Sequence, residues 1–496
     1  MRCQSALSIA LAGFAAAKSL DGPLAKRAAI DDCLKSAGVP ADAQGSADWR
    51  ADVNPFNQRL AYTPVAIAVP TTVEHVQGAV SCAAKLGIKV TPKSGGHSYA
   101  SFGLGGEHGH LVVELDRMSK VTVDSSTQIA TVQAGARLGH VATVLYQNGK
   151  RAFSHGTCPG VGVAGHSLHG GFGFSSHTHG LALDWIVGAT VVLANSSVVE
   201  VSKTQNADLF WALRGAGSNF GIVTTFKFNT FAAPSQVTAF QVNLPWNNAN
   251  SIASGWSSLQ DWLTAGMPTE MNMRVFASGS QTQLQGLYYG NSNSLRTAIQ
   301  PLLSKLGASL SNAQQYDWMG AFTYYTYGGQ VDVTHPYNSV ETFYSKSLVT
   351  KALPQKALQA VANYWIQRAK SNSRDWFIII DMYGGKNSAI TKVASDDSSY
   401  AHRGDYLFLY ELYDRVRSGS YPSNGFDFLN GWVKSFTDNM EKSQWAMYIN
   451  YADPTMNRTE AQDVYYRQNL PKLKQIKAQV DPNELFYYPQ AVEPAK

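Results

Sequence analysis

The sequence predicts an α+β chain of two domains, on three observations. Short strand and helix signals alternate between about residues 60 and 230; later strands are longer and rich in aromatics, with helices between them; and a turn-rich stretch at 231–236 separates the two patterns. At 496 residues the chain exceeds what one small core holds, so length also argues for two domains. With 44% hydrophobic and 15% charged residues it is packed and globular. The formal charge of +5 is thinly spread, with no basic run to follow a phosphate backbone, which sets nucleic acid aside as a partner.

The elements follow in order. One basic residue, an apolar stretch and small residues through Ala17 form a secretory signal peptide pattern, expected over 1–22 and too short to span a bilayer. Lys26-Arg27 is a second, dibasic processing point. No later segment has the apolar length to cross a membrane, so the mature protein is expected to be soluble and extracellular. Residues 65–69 read as a strand. Val73, Val76, Val80 and Ala84 fall at helical spacing, and Gly87 ends that helix. A strand at 88–90 delivers the chain to the turn Lys93-Ser-Gly-Gly-His-Ser-Tyr99. Strands follow at 111–115 and 130–133, and 186–193 with 198–201 forms a hairpin around Asn195-Ser-Ser197. The first domain is thus expected at 28–235. A second, at 236–445, carries strands 284–289, 376–381 and 406–410 and helices 294–306, 354–370 and 427–441, which suits a large antiparallel sheet covered by helices on one face. The last segment, 446–496, is helical from 459 to 480.

His97 and Cys158 carry the most chemical information. Each lies in a glycine-rich turn, the second being Gly156-Thr-Cys-Pro-Gly160. An imidazole nitrogen and a thiolate can both bond covalently to an isoalloxazine ring, and bare backbone lets a flat cofactor approach. In 160–173, six of fourteen residues are glycine, which reads as a loop whose amides meet a flavin and its pyrophosphate. Ser94-Gly-Gly96 faces it from the other side. The glycine spacing is not that of a Rossmann turn or a P-loop.

Taken in order, Gly-Gly-His-Ser-Tyr99, Gly156-Thr-Cys-Pro-Gly-Val-Gly-Val-Ala-Gly165, Asp208-Leu-Phe-Trp-Ala-Leu-Arg-Gly-Ala-Gly-Ser-Asn-Phe-Gly221, Tyr448-Ile-Asn-Tyr451 and Asp481-Pro-Asn-Glu-Leu-Phe486 resemble the berberine bridge enzyme family of the vanillyl-alcohol oxidase superfamily. The nearest resemblance is to its fungal gluco-, xylo- and chito-oligosaccharide oxidases, over nearly the whole mature chain. It implies a two-domain FAD-linked oxidase fold, an FAD-binding domain plus a substrate domain, with the C-terminal segment folding back onto the former. It implies FAD attached through His97 at the 8α carbon and through Cys158 at C6. Ser94, Gly95, Gly96, Ser98, Val161, Gly162, Gly165, Gly170, Gly171, Gly221, Ile222 and Val223 are the expected cofactor contacts. Three departures are visible: two glycines, Gly170 and Gly171, where many relatives have three; no methionine near Asn387, after Tyr383-Gly-Gly385, where many have one; and Asn450-Tyr-Ala-Asp-Pro454 where many plant members continue Asn-Tyr-Arg-Asp. These leave attachment intact and point away from the alkaloid- and cannabinoid-forming branches.

With Cys158 assigned to the flavin and Cys3 to the signal peptide, Cys33 and Cys82 remain as one disulfide in an oxidising compartment. Asn195 and Asn457 head N-glycosylation sequons. The resemblance makes Tyr451 the base that takes the substrate's hydroxyl proton. A free phenol titrates at about 10, so neighbouring charge or hydrogen bonds must activate it. Asp381, a carboxylate ending an apolar strand, resembles the acidic partner of that tyrosine. Tyr99, Thr157, Arg274, Tyr410 and Tyr448 are the expected sugar contacts. His155, His166, His169, His177 and His179 fall within 25 residues, but no carboxylate or thiolate joins them at a metal spacing, so no metal is expected and His177 and His179 read as surface-loop residues. The expected activity is oxidation of the C1 hydroxyl of a reducing mono- or oligosaccharide to the lactone, with O2 reduced to H2O2 by a monomer. Val161, small and aliphatic, marks members that admit oxygen. An oxidase of a non-sugar alcohol or secondary metabolite, or a flavoprotein that binds without turnover, are the alternatives.

Overall fold

In the computed structural model the described residues are 23–326, 329–333 and 339–496, so the expected signal peptide lies outside them. Lys26 and Arg27 are not in a cleavable loop. They sit inside helix Pro23–Ser36, with the Arg27 guanidinium 4.8 Å from the centre of the Trp49 ring.

The first half builds two small sheets. Strands Ala66–Ala68, Leu111–Glu114 and Val90–Lys93 pair in parallel. Helix Val73–Leu86 crosses over between the first and last of these, capped by the Thr72 hydroxyl at one end and by left-handed Gly87 at the other. The strand expected at 88–90 begins at Val90 and runs to Lys93, ending directly at the His97 turn. A disulfide between Cys33 and Cys82 joins this helix to Pro23–Ser36. The second sheet has five antiparallel strands, including the expected hairpin Ile186–Val192 with Val198–Ser202. The turn-rich stretch at 231–236 is not a free linker: Phe231–Ala232 pairs with Arg151–Ala152.

The second half is an eight-stranded antiparallel sheet, in the order Leu310–Tyr316, Val237–Asn243, Thr282–Tyr288, Met271–Ser278, Asp375–Met382, Phe408–Val416, Thr342–Thr350, Trp445–Ala446. Alternation along each strand splits the sheet into two faces. One face takes the apolar sides of helices Ala249–Ala265, Gln355–Tyr364 and Ser423–Thr437, burying Trp256, Trp365 and Trp432. The other face carries polar side chains toward the glycine loops.

The C-terminal segment returns to the first half. Its expected single helix is broken at Arg467 (φ 48°) into Arg458–Tyr466 and Leu470–Val480. The buried Lys477 ammonium donates to Asp481, to the Phe486 carbonyl and to the Asn219 carbonyl, and Phe486 bridges to Val90. This anchors 470–486 beside the strand that leads to His97.

Candidate active site

Between the glycine loops and the polar face of the large sheet lies a cavity of about 340 Å³, within the usual range for small-ligand sites. One wall is made by two loops that cross. A Cβ on Gly95 would stand 2.1 Å from the Gly162 nitrogen, and one on Gly162 would stand 2.1 Å from the Gly95 nitrogen. Arg137, buried, ties the crossing by donating to the Gly95 carbonyl (2.8 Å) and the Gly160 carbonyl (2.5 Å). These glycines therefore serve loop against loop. Gly165 differs: it lines the cavity, and a Cβ there would meet nothing within 4 Å.

His97 projects from this wall with its ring stacked on Phe56 (4.5 Å between centres, 22°). Burial and the Arg137 charge push its pKa down to about 3, so the imidazole is neutral and nucleophilic. Cys158 is a free thiol whose pKa is raised by burial, against a lowering hydrogen bond from the Gly160 backbone. A neutral imidazole and a free thiol on one glycine-lined cavity, with open space above Gly165, fit a flat cofactor held by two covalent bonds.

The opposite wall takes one residue from each of several strands. Arg274 stands directly across from Asp381 on neighbouring strands, and Glu411 lies one strand further, across from Ile379. The Arg274 guanidinium sits 4.7 Å from the centre of the Phe174 ring, and its Nε donates to Gln285 (3.3 Å). Burial raises Asp381 to about 7, with Glu411 adding and Arg274 opposing. Burial likewise raises Glu411 to about 7, opposed by the hydrogen bond from Tyr99, by Arg274 and by a hydrogen bond from Tyr451. The Tyr99 hydroxyl donates to Glu411 at 2.7 Å, and the Tyr99 ring stacks on Tyr451 (5.4 Å, 23°). Tyr451 is pushed well above the usual phenol value by burial and by the Glu411 and Asp381 charges, while Arg274 pulls the other way. Its surroundings hold the phenol protonated.

Most expected site residues meet at this cavity. Of the cofactor contacts, all but Gly170, Gly171 and Ile222 line it, as do Tyr99, Thr157, Arg274, Asp381 and Tyr451. The others stand elsewhere. Gly170 (φ +123°) leaves room for the Tyr448 and Tyr400 rings, and the Gly171 N–H donates to the Tyr448 hydroxyl (2.9 Å). Ile222 begins strand Ile222–Phe228 with its side chain fully in the core. Tyr448 does not line the cavity: its hydroxyl accepts from Gly171 and from Asn450, bracing the loop from behind. Tyr410 points to the helix-covered face, its hydroxyl 3.0 Å from that of Thr350 and its ring beside Trp256 and Phe436. His177 and His179 are not surface residues: His177 is 2% exposed, and His179 stacks on Phe231 at 3.8 Å. Among the described residues no group of three or more His, Cys, Asp and Glu could hold a metal ion.

Glu411 and Asn450 line the cavity, and Ser347 holds the Tyr448 backbone beside it; none of the three was foreseen. Glu411 carried the signal that singled out Asp381, a carboxylate inside an apolar strand (Leu407-Phe-Leu-Tyr-Glu-Leu412). Asn450 lay inside the motif Tyr448-Ile-Asn-Tyr451, whereas Ser347 carried no signal.

An FAD binding domain family matches residues 64–202, and a family described as berberine and berberine like matches 447–493. The chain is 64% identical over 494 residues to a xylooligosaccharide oxidase of Thermothelomyces thermophilus, covering 99% of each. Its structure superposes on that of the xylooligosaccharide oxidase from Myceliophthora thermophila C1 in complex with xylobiose, with a TM-score of 0.93 and 65% identity, covering 94% of this chain and 100% of that one. It also superposes on the glucooligosaccharide oxidase from Acremonium strictum, described as having a 6-S-cysteinyl, 8α-N1-histidyl FAD, with a TM-score of 0.91 and 44% identity, covering 94% and 99%.

Proposed function

The chain belongs to the berberine bridge enzyme family, among its FAD-dependent oligosaccharide oxidases, and from that premise we propose how its own residues carry out sugar oxidation. The reading is that a reducing oligosaccharide, of the xylobiose or cellobiose kind, loses the C1 hydrogen and the hydroxyl proton to become a lactone. One observation carries it: the wall bearing His97 and Cys158 faces, across a single cavity, the wall bearing Asp381 and Tyr451.

His97 bonds the 8α carbon and Cys158 the C6 carbon of FAD, and Ser94 to Ser98 and Val161 to Gly165 give the ring its backbone wall. The chemistry FAD supplies when bound is acceptance of two electrons as hydride from C1, and their delivery with two protons to O2, which leaves as H2O2. Tyr451 takes the C1 hydroxyl proton while passing its own to Asp381. A buried phenol held protonated needs such an acceptor, and a carboxyl poised at about 7 suits the task near neutrality. Thr157, Tyr99 and Arg274 orient the sugar. The protein is secreted as a monomer after loss of residues 1–22. Asn195 and Asn457, both exposed, carry N-linked glycans.

The test is anaerobic mixing of the yellow holoprotein with xylobiose, cellobiose and an aromatic alcohol, followed by peroxide assay in air. Bleaching by the sugars, with peroxide, is expected. Bleaching by the aromatic alcohol alone would replace the substrate class, and no bleaching by any would leave a binding protein.

A further inference from the structure

Glu411 lies at a junction the sugar-oxidising reading leaves without a role. Its strand, Phe408–Val416, pairs with Thr342–Thr350, and the residue directly across from it there is Ser347. Ser347 grips the start of the turn that presents the base: its hydroxyl donates to the Tyr448 carbonyl (3.1 Å) and accepts from the Tyr448 N–H (2.9 Å). The turn Ile449–Tyr451 is closed by the Tyr451 N–H on that same Tyr448 carbonyl (3.0 Å). Glu411 holds the other side. Its carboxylate accepts from Tyr99, which arrives from the His97 turn and whose ring lies parallel to Tyr451. The Tyr99 carbonyl is in turn fixed by the Asn57 side chain (2.8 Å).

Two adjacent positions of neighbouring strands thus fix both sides of one tyrosine: Ser347 its backbone, and Glu411 its ring, through Tyr99 and through its own hydrogen bond with Tyr451. We propose that Glu411 is a positioning residue, which clamps the Tyr99–Tyr451 stack in its reacting attitude and supplies a negative charge against which Asp381 works. The proposal rests on the sugar-oxidising reading of the site. The charged and titratable groups that face Glu411 are Tyr99 from the His97 turn, Cys158 from its loop, and Tyr451 from the C-terminal segment. The sheet adds Arg274, Asp381, Tyr413 and Glu341. Arg274 is the cation among them; the Glu341 carboxylate accepts from the Tyr413 hydroxyl (2.7 Å) and, on its other oxygen, from Arg415 (2.7 Å).

The clamp and the charge separate by substitution. Glu411→Gln keeps an oxygen for Tyr99 and loses the charge; Glu411→Ala loses both. In both, the rise of the anaerobic bleaching rate with pH should move to lower pH, because a neighbour that raises Asp381 has gone. Only Glu411→Ala should lower the limiting rate, by about 10²-fold, the scale of a misplaced reacting group. Covalent flavin should be retained in both, read from the colour of acid-precipitated protein. The proposal is overturned if Glu411→Ala keeps the wild-type limiting rate, if Glu411→Gln falls as far as Glu411→Ala, or if neither shifts the pH rise. If the unaltered protein is not bleached by any sugar, it is the functional reading that fails.

Discussion

The two walls of the cavity are built on different principles. The cofactor wall comes from two contiguous segments, the turn 93–99 and the stretch 156–173 with its short helix Val163–Leu168, in which nucleophiles and glycines are neighbours in the chain. The sheet wall takes Arg274, Asp381 and Glu411 from separate strands and Tyr451 from a distant turn, so its chemistry exists only once the register is set. A loop wall can be read as a motif. A sheet wall depends on which face each residue occupies, and a slip of one position exchanges the faces.

The largest effect should come from dismantling the cofactor wall. The double variant His97→Ala, Cys158→Ala should release all its flavin on acid precipitation, whereas either single variant should keep a coloured pellet. Equal release from one single variant would show that the two nucleophiles are not independent anchors. On the opposite wall, Tyr451→Phe should lower the anaerobic bleaching rate by about 10²–10⁴-fold, the span of a lost acid–base group, with covalent flavin undiminished. A wild-type rate would put the proton acceptor elsewhere.

Asp381 ties that wall to pH. Burial raises its carboxyl to about 7, so the acceptor is protonated and idle below that pH and ionised above it. The bleaching rate should therefore rise with pH through about 7. Asp381→Asn should lower it by about 10²-fold and flatten the rise. A rise that survives in the variant would assign it to another group, Glu411 being the nearest in character.

What the chain discloses in advance follows from this contrast. The α+β class, the antiparallel sheet with helices on one face, and the Cys33–Cys82 disulfide were all legible, because periodicity, length and cysteine arithmetic are local or global counts. His97 and Cys158 were legible because glycine turns surround them. Tyr410 and Glu411 show the limit. They are adjacent in one strand, yet Tyr410 faces the tryptophan layer and Glu411 the cavity, and an apolar run on both sides of them conceals the alternation. Tyr448 stands off the cavity for another reason: it lies in the motif that carries Tyr451, but its hydroxyl is engaged by Gly171 and Asn450. Gly95 and Gly162 were marked as cofactor contacts; both line the cavity, and their bare backbones also cross each other.

Within the cofactor wall, Gly165 separates the two uses of glycine. A side chain there finds space in the chain alone, so Gly165→Leu should fold with an unchanged melting temperature before flavin is loaded, yet reduce flavin incorporation severalfold. Full incorporation would place the cofactor away from Gly165.

The smallest effect should come from Tyr410→Phe, which tests the face assignment itself. The hydroxyl lies 3.0 Å from that of Thr350, both buried behind the sheet, and the ring packs on Trp256 and Phe436. Removing the hydroxyl leaves the ring packing intact and one buried partner unpaired, a loss of about 1 kcal/mol of stability. Bleaching rate and sugar affinity should be unaltered, since nothing on the cavity face changes. A raised KM for the sugar, without a fall in melting temperature, would mean that Tyr410 reaches the substrate and that the alternation along Phe408–Val416 is read backwards. Glu411 would then leave the cavity with it, because one strand cannot present both neighbours to the same side.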